Sequence, residues 1–177
     1  MKFINIYILF LIVLFSNALI AKNIAIINIQ LLIDNNLTYK ETLIKIQDNQ
    51  SKYLENFEIK EYDLKKKIES IENSKLILNE KEINLRIEEY NTQLNNFKVL
   101  VDNFNFHYQN QIINIREDVL MVIIKILEQY LIENDIDLVF DSTSYLIASN
   151  SLDITDKISE KLNKIKFNLE FKNFEQN

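Results

Sequence analysis

Between Leu43 and Ile126 apolar residues return every three or four positions. Leu43, Ile46, Tyr53, Phe57, Leu64, Ile68 and Ile71 form a first stripe, interrupted by Gln50, Lys60 and Lys67. Ile83, Ile87, Tyr90, Leu94, Phe97, Val101, Phe104 and Tyr108 form a second, with the alternating steps of four and three that mark a coiled-coil seam. The step to Ile112 is four again before Ile115, Val119, Val122 and Ile126 resume the alternation, a stutter that relaxes the supercoil locally. Thr38 with Glu41 has the spacing of a capping box and predicts where the first helix starts. Asn73-Ser74 predicts its end, Asn79 with Glu82 the start of the second helix, and Asn134-Asp135 its end. Two amphipathic helices joined by a few residues cover each other's stripes by folding back as an antiparallel hairpin over residues 38–133. At 1.5 Å per residue the arms reach about 50 and about 80 Å, too long for a globule of this mass, so the hairpin must project from a base.

The remaining segments predict that base. Ile24 to Ile29 is a β-branched run consistent with a buried strand, Gln30 to Ile33 adds a helical turn, and Asn35-Asn36 breaks the chain. Leu138-Val139-Phe140 predicts a second strand, Ser142-Thr143-Ser144 a turn, and Tyr145 to Ala148 a third strand. Asp153 is placed to cap a last helix with the stripe Ile154, Ile158, Leu162 and Ile165. Residues 22–37 and 134–166 thus make a small α/β body of about 50 residues, marginal without a partner subunit. Oligomerisation through the strands is expected, with Ile24, Ile26, Leu138, Phe140, Tyr145 and Ile147 as the contact candidates. The fold class is α+β. Residues 167–177 follow as a C-terminal extension.

Met1-Lys2, the apolar run Phe3 to Phe15 and the small-residue stretch that follows have the anatomy of a secretory signal over residues 1–21. A cut after Ala18 puts Ser16 at the −3 position and a cut after Ala21 puts Leu19 there, which favours Ala18; the other reading is an uncleaved anchor reaching Ile20. The chain has no Cys, Gly or Pro, which excludes disulfides, thiolate metal sites and glycine phosphate loops. A formal charge of −6 argues against nucleic acid as a partner. His107 is the one histidine and reads as a surface or packing residue. Neighbouring carboxylates such as Glu88-Glu89 and Glu117-Asp118 read as solvated helix faces. No catalytic residue, cofactor or metal is expected.

The run "KNIAIINI" after the signal, the long hairpin, and "DIDLVFDSTSYLIASNSLDITDKISEKLNK" together resemble the Skp (OmpH-like) family of periplasmic chaperones over residues 22–166. The resemblance implies a homotrimer whose strands join in a central body, with three hairpin arms around a cavity that holds unfolded outer-membrane β-barrel proteins without ATP. It implies a periplasmic location. The better known members are basic whereas this chain is acidic, so the resemblance does not carry over their binding of lipopolysaccharide or anionic lipid.

Two surface features bear on that reading. With Ile87, Leu94, Val101 and Tyr108 as a positions, the positions farthest from the seam are Leu85, Thr92, Val99 and Phe106, three of them apolar. Either a neighbouring arm or transient contact with unfolded clients covers Leu85, Val99 and Phe106. The first arm's equivalents, Asp48, Glu55, Tyr62 and Glu69, are mostly charged. Lys65-Lys66-Lys67 is the one basic cluster of note; it reads as a solvated face, with weak contact to anionic headgroups or an acidic client segment as the alternative. The expected function is a holdase for unfolded outer-membrane proteins. The alternative is an envelope coiled-coil adaptor, tethered by its N-terminal segment and binding one folded partner.

Overall fold

The computed structural model describes residues 23–175. The signal expected over residues 1–21 lies outside the described residues. Strand β1, Ile24–Ile27, leads through Asn28 into helix α1, Ile29–Asn35. Helices α2, Leu37–Ser74, and α3, Glu80–Glu133, are the two arms, and strand β2, Leu138–Asp141, brings the chain back to β1. Single 3-10 turns at Ser142–Ser144 and Asn150–Leu152 precede helix α4, Thr155–Leu162. Among the described residues no helix is long and apolar enough to cross a membrane.

Asparagine does the punctuation that glycine and proline do elsewhere. Asn28 caps α1, its side chain accepting from the Leu31 amide at 2.9 Å. Asn36 gives its own N–H to the Ile33 carbonyl at the end of α1 and accepts from the Tyr39 amide at 2.9 Å to begin α2. The expected capping box at Thr38 is therefore corrected: Asn36 has the extended backbone a cap requires (φ −66°, ψ 126°), while Thr38 is already helical and cannot turn its hydroxyl to the first amides. Asn79 caps α3 as its spacing predicts, accepting from the Glu82 amide at 3.0 Å. After α3, Asp135 takes φ 51°, the left-handed turn that an aspartate tolerates better than most residues without glycine's freedom.

β1 and β2 pair in parallel, Ile24 opposite Leu138 and Ile27 opposite Asp141, so the whole hairpin is the crossover between them. Asn23 clamps the joint, its amide donating to the Asp137 carboxylate at 3.0 Å and its side chain to the Asp135 carbonyl at 2.9 Å. The third strand expected at Tyr145 to Ala148 does not form. β1 has two edges: β2 takes one, and the other is bridged at Ile26 by Asp153, with the Ile154 amide donating to the Ile26 carbonyl at 3.0 Å. No edge of β1 is left for Tyr145–Ala148, and Leu146 and Ile147 stand out into solvent.

α4 closes the body. The Asp153 carboxylate accepts from the amide and the hydroxyl of Thr155 at 2.8 and 2.5 Å, and the Thr155 hydroxyl in turn accepts from the Asn28 amide at 2.9 Å. Ile154, Ile158 and Leu162 are buried as the stripe predicts, whereas Ile165 lies past the helix end and is exposed. The core runs from Ala25, Ile27, Leu32 and Ile33 through Ile158 into the base of the arms at Ile115, Val119 and Ile123.

Candidate functional site

With 38 and 54 residues, the arms are about 57 and about 81 Å long. Their seam has two regimes. From Phe104 to Tyr130 the inward residues of α3 are buried, because α2, the body and the C-terminal segment all pack there. From Ile83 to Val101 the seam residues Ile83, Ile87, Tyr90, Leu94, Phe97 and Val101 are only half-buried, since each has one partner helix and water on its flank. Between Leu64, Phe97 and Leu100 the arms leave an open groove of about 420 Å³, rimmed by Lys60, Asp63, Lys67, Gln93 and Asn96.

The outer line of α3 is exposed as its register predicts, with Leu85 at 53 %, Val99 at 49 % and Phe106 at 67 %. Ile113, one heptad further, extends it. Asp48, Glu55, Tyr62 and Glu69 are the exposed residues of α2 at the corresponding positions. Register alone missed the apolar residues scattered off that line, Ile44, Leu54 and Ile59 on α2 and Leu76 with Ile77 at the hairpin tip, all exposed.

The three lysines have different surroundings. Lys67 turns into the hairpin, donating to Gln93 at 3.1 Å and lying 3.7 Å from the Glu89 carboxylate. Lys66 sits over the Tyr62 ring, 4.6 Å from its centroid. Lys65 is solvated. On the body, Ile24, Leu138 and Phe140 are exposed on one side of the sheet, but Ile26 is buried within its own chain by the segment bridged at Asp153. Tyr145 is half-buried and Ile147 exposed, on irregular backbone. Asp141 joins body to strand: burial pushes its carboxyl up, but hydrogen bonds from the Thr143 hydroxyl and the amides of Ile29, Thr143 and Ser142 outweigh that and hold it below the ordinary carboxylate value.

The C-terminal extension, for which the sequence suggested no role, lies in the hairpin. Leu169 and Phe174 are buried, and Phe167 and Phe171 pack half-buried on the same core. The Phe174 ring sits among Tyr53, Phe104 and His107, with centroids 5.6, 5.4 and 5.6 Å away. His107 Nε2 donates to the Lys172 carbonyl at 2.7 Å, so His107 is the packing residue its isolation suggested. The available signal was the alternation Phe167, Leu169, Phe171, and tyrosines whose hydroxyls need partners inside a seam. Among the described residues no three His, Asp or Glu side chains converge as a metal site.

A small parallel sheet with a long hairpin as its crossover defines an α+β protein that projects apolar-flanked arms from a compact base. The OmpH-like outer membrane protein family model matches residues 23–162, and the chain belongs to that family. Among solved structures, a candidate outer membrane chaperone (OmpH-like) from Caulobacter crescentus CB15 superposes with a TM-score of 0.62 at 11% sequence identity, over 85% of this chain and 91% of that one. At that identity the likeness is one of fold. No curated protein sequence matches the chain.

Proposed function

We propose that this protein is an ATP-independent periplasmic holdase, a trimer that keeps unfolded outer-membrane β-barrel proteins from aggregating between its arms. The observation that carries the reading is the pair of long arms with apolar side chains exposed at intervals along their length, Leu85, Val99, Phe106 and Ile113 on one line and Leu76 and Ile77 at the tip. Such residues, separated by charged ones, give many weak contacts in place of one deep pocket. Avidity across several arms then holds a long unfolded chain while each segment exchanges. The net charge of −6 keeps loaded complexes apart.

The trimer is supported by the apolar residues left uncovered on the body, Ile24, Leu138, Phe140, Leu146 and Ile147, which a small core cannot leave in water cheaply. The test is aggregation of a β-barrel protein diluted from urea, followed by light scattering. One trimer per client should suppress it, and Leu85→Ser with Val99→Ser and Phe106→Ser should weaken suppression several-fold while leaving helix content unchanged. No suppression across several clients would sink the reading. Recovery of one folded partner would point to an adaptor.

A further inference from the structure

We propose that the C-terminal segment is a built-in occupant of a strand-binding groove, and that an extended segment of unfolded client displaces it. The groove lies between α2 and α3 at Tyr53, Phe104, His107, Tyr108 and Gln111. The inference rests on the holdase reading and gives it a site.

The contacts to the segment fall on its main chain in a regular way. The Lys172 amide donates to Gln111 Oε1 at 3.0 Å and the Lys172 carbonyl accepts from His107 Nε2 at 2.7 Å. The Phe174 amide donates to the Tyr108 hydroxyl at 3.4 Å and the Phe174 carbonyl accepts from the Tyr53 hydroxyl at 2.5 Å. Residues two apart present their N–H and C=O groups on the same edge of an extended chain. Four arm side chains therefore do what a neighbouring strand would do, pairing both groups of two alternate residues. His107 and Gln111 are one helical turn apart, so one face of α3 supplies both. Tyr108 is held for its part by Asn49 of α2, to which its hydroxyl donates.

Main-chain contacts of this kind do not depend on sequence. What selectivity exists comes from side chains: Phe167, Leu169 and Phe171 supply apolar groups at a spacing of two, and Phe174, three residues past Phe171 and so off that alternation, enters an aromatic pocket. Asn168 and Glu170 on the opposite face bond each other at 3.3 Å, the contact expected of alternate residues on an extended chain. An extended polypeptide alternating apolar with polar residues and carrying an aromatic ring near one end is the ligand this groove fits. Membrane-spanning β-strands have that pattern, alternating along their length with aromatic residues at both interfaces.

The tether makes the tail a strong competitor. A short link from α4 holds it at an effective concentration in the millimolar range, so a lone peptide fails to enter while a client offering many strands to several grooves succeeds. The tail thereby sets a threshold that favours long unfolded chains over short ones.

The test uses the full chain and a fluorescent peptide of residues 167–177. Leu169→Ser with Phe174→Ser should release the tail and tighten peptide binding at least tenfold. Adding Tyr53→Phe and Gln111→Leu should abolish that gain, and a peptide of the same composition with its apolar residues in one block should bind neither form. Equal peptide binding by wild type and the released form overturns the proposal. Should the released form lose its helices, hydrogen exchange of the wild type decides: the Lys172 and Phe174 amides, protected in the free protein, should exchange freely once a urea-unfolded β-barrel protein is bound. Protection that persists in that complex overturns the proposal. Aggregation suppression with the tail still protected removes this inference alone; peptide uptake by the released groove without suppression removes the holdase reading and leaves the groove.

Discussion

Asn36 carries two jobs in one side chain and one backbone, ending α1 and starting α2 while almost wholly buried. Asn36→Ala should cost about 1 kcal/mol or somewhat more of unfolding free energy in urea, as N-cap losses do, whereas Thr38→Ala should cost less, because the bond Thr38 accepts from the Thr42 hydroxyl is to its main-chain carbonyl, which alanine keeps. Asp141 gives the body a pH dependence whose sign follows from its depressed native pKa. The stabilisation it brings is complete above the ordinary carboxylate pKa and is lost as pH falls through the lower native value. Thermal melts should therefore show wild type losing stability faster than Asp141→Asn as pH drops below about 4. Neither residue's role was legible beforehand. Asn36 competed with a well-spaced Thr38, and the partners of Asp141 include an amide 112 positions away.

Helix ends and stripes were readable because each depends on neighbours in sequence. Asn79, Ser74 and Asn134 mark the arm boundaries as expected, since a cap is satisfied within three or four residues. The third strand misled for the opposite reason. Tyr145 to Ala148 has the composition of a strand, but pairing depends on what the segment meets in space: β1 is taken by β2 and Asp153, and the segment makes no bridge to the outer edge of β2. The depth of the seam was likewise hidden: heptads mark the inward face without saying how many elements cover it. Phe104, ringed by Tyr53, Phe57, Tyr108 and Phe174, should cost about 3–5 kcal/mol on replacement by Ala. Leu94, on the same stripe but half-buried, should cost clearly less. Urea titration of the two variants tests whether stability is concentrated where the arms meet the body.

For the molecule as a whole, the body is the smaller part and the more dependent one. If the proposed trimer forms through the body's uncovered residues, Leu146→Asp with Ile147→Asp shifts the mass measured by analytical ultracentrifugation toward that of a monomer, with the helical signal largely retained. A mass unaffected by these changes would move the assembly surface elsewhere. The parallel pairing of β1 with β2 has a further consequence, for the order of events as the chain is delivered. Asn23 meets Asp137 across 114 residues, so the first strand can find its partner only after residues 138–141 have been made. The arms, built from contacts nearby in sequence, can form while it waits. An apolar strand that must stay unpaired through most of its own synthesis is, for that interval, in the same predicament as the clients proposed for the finished protein.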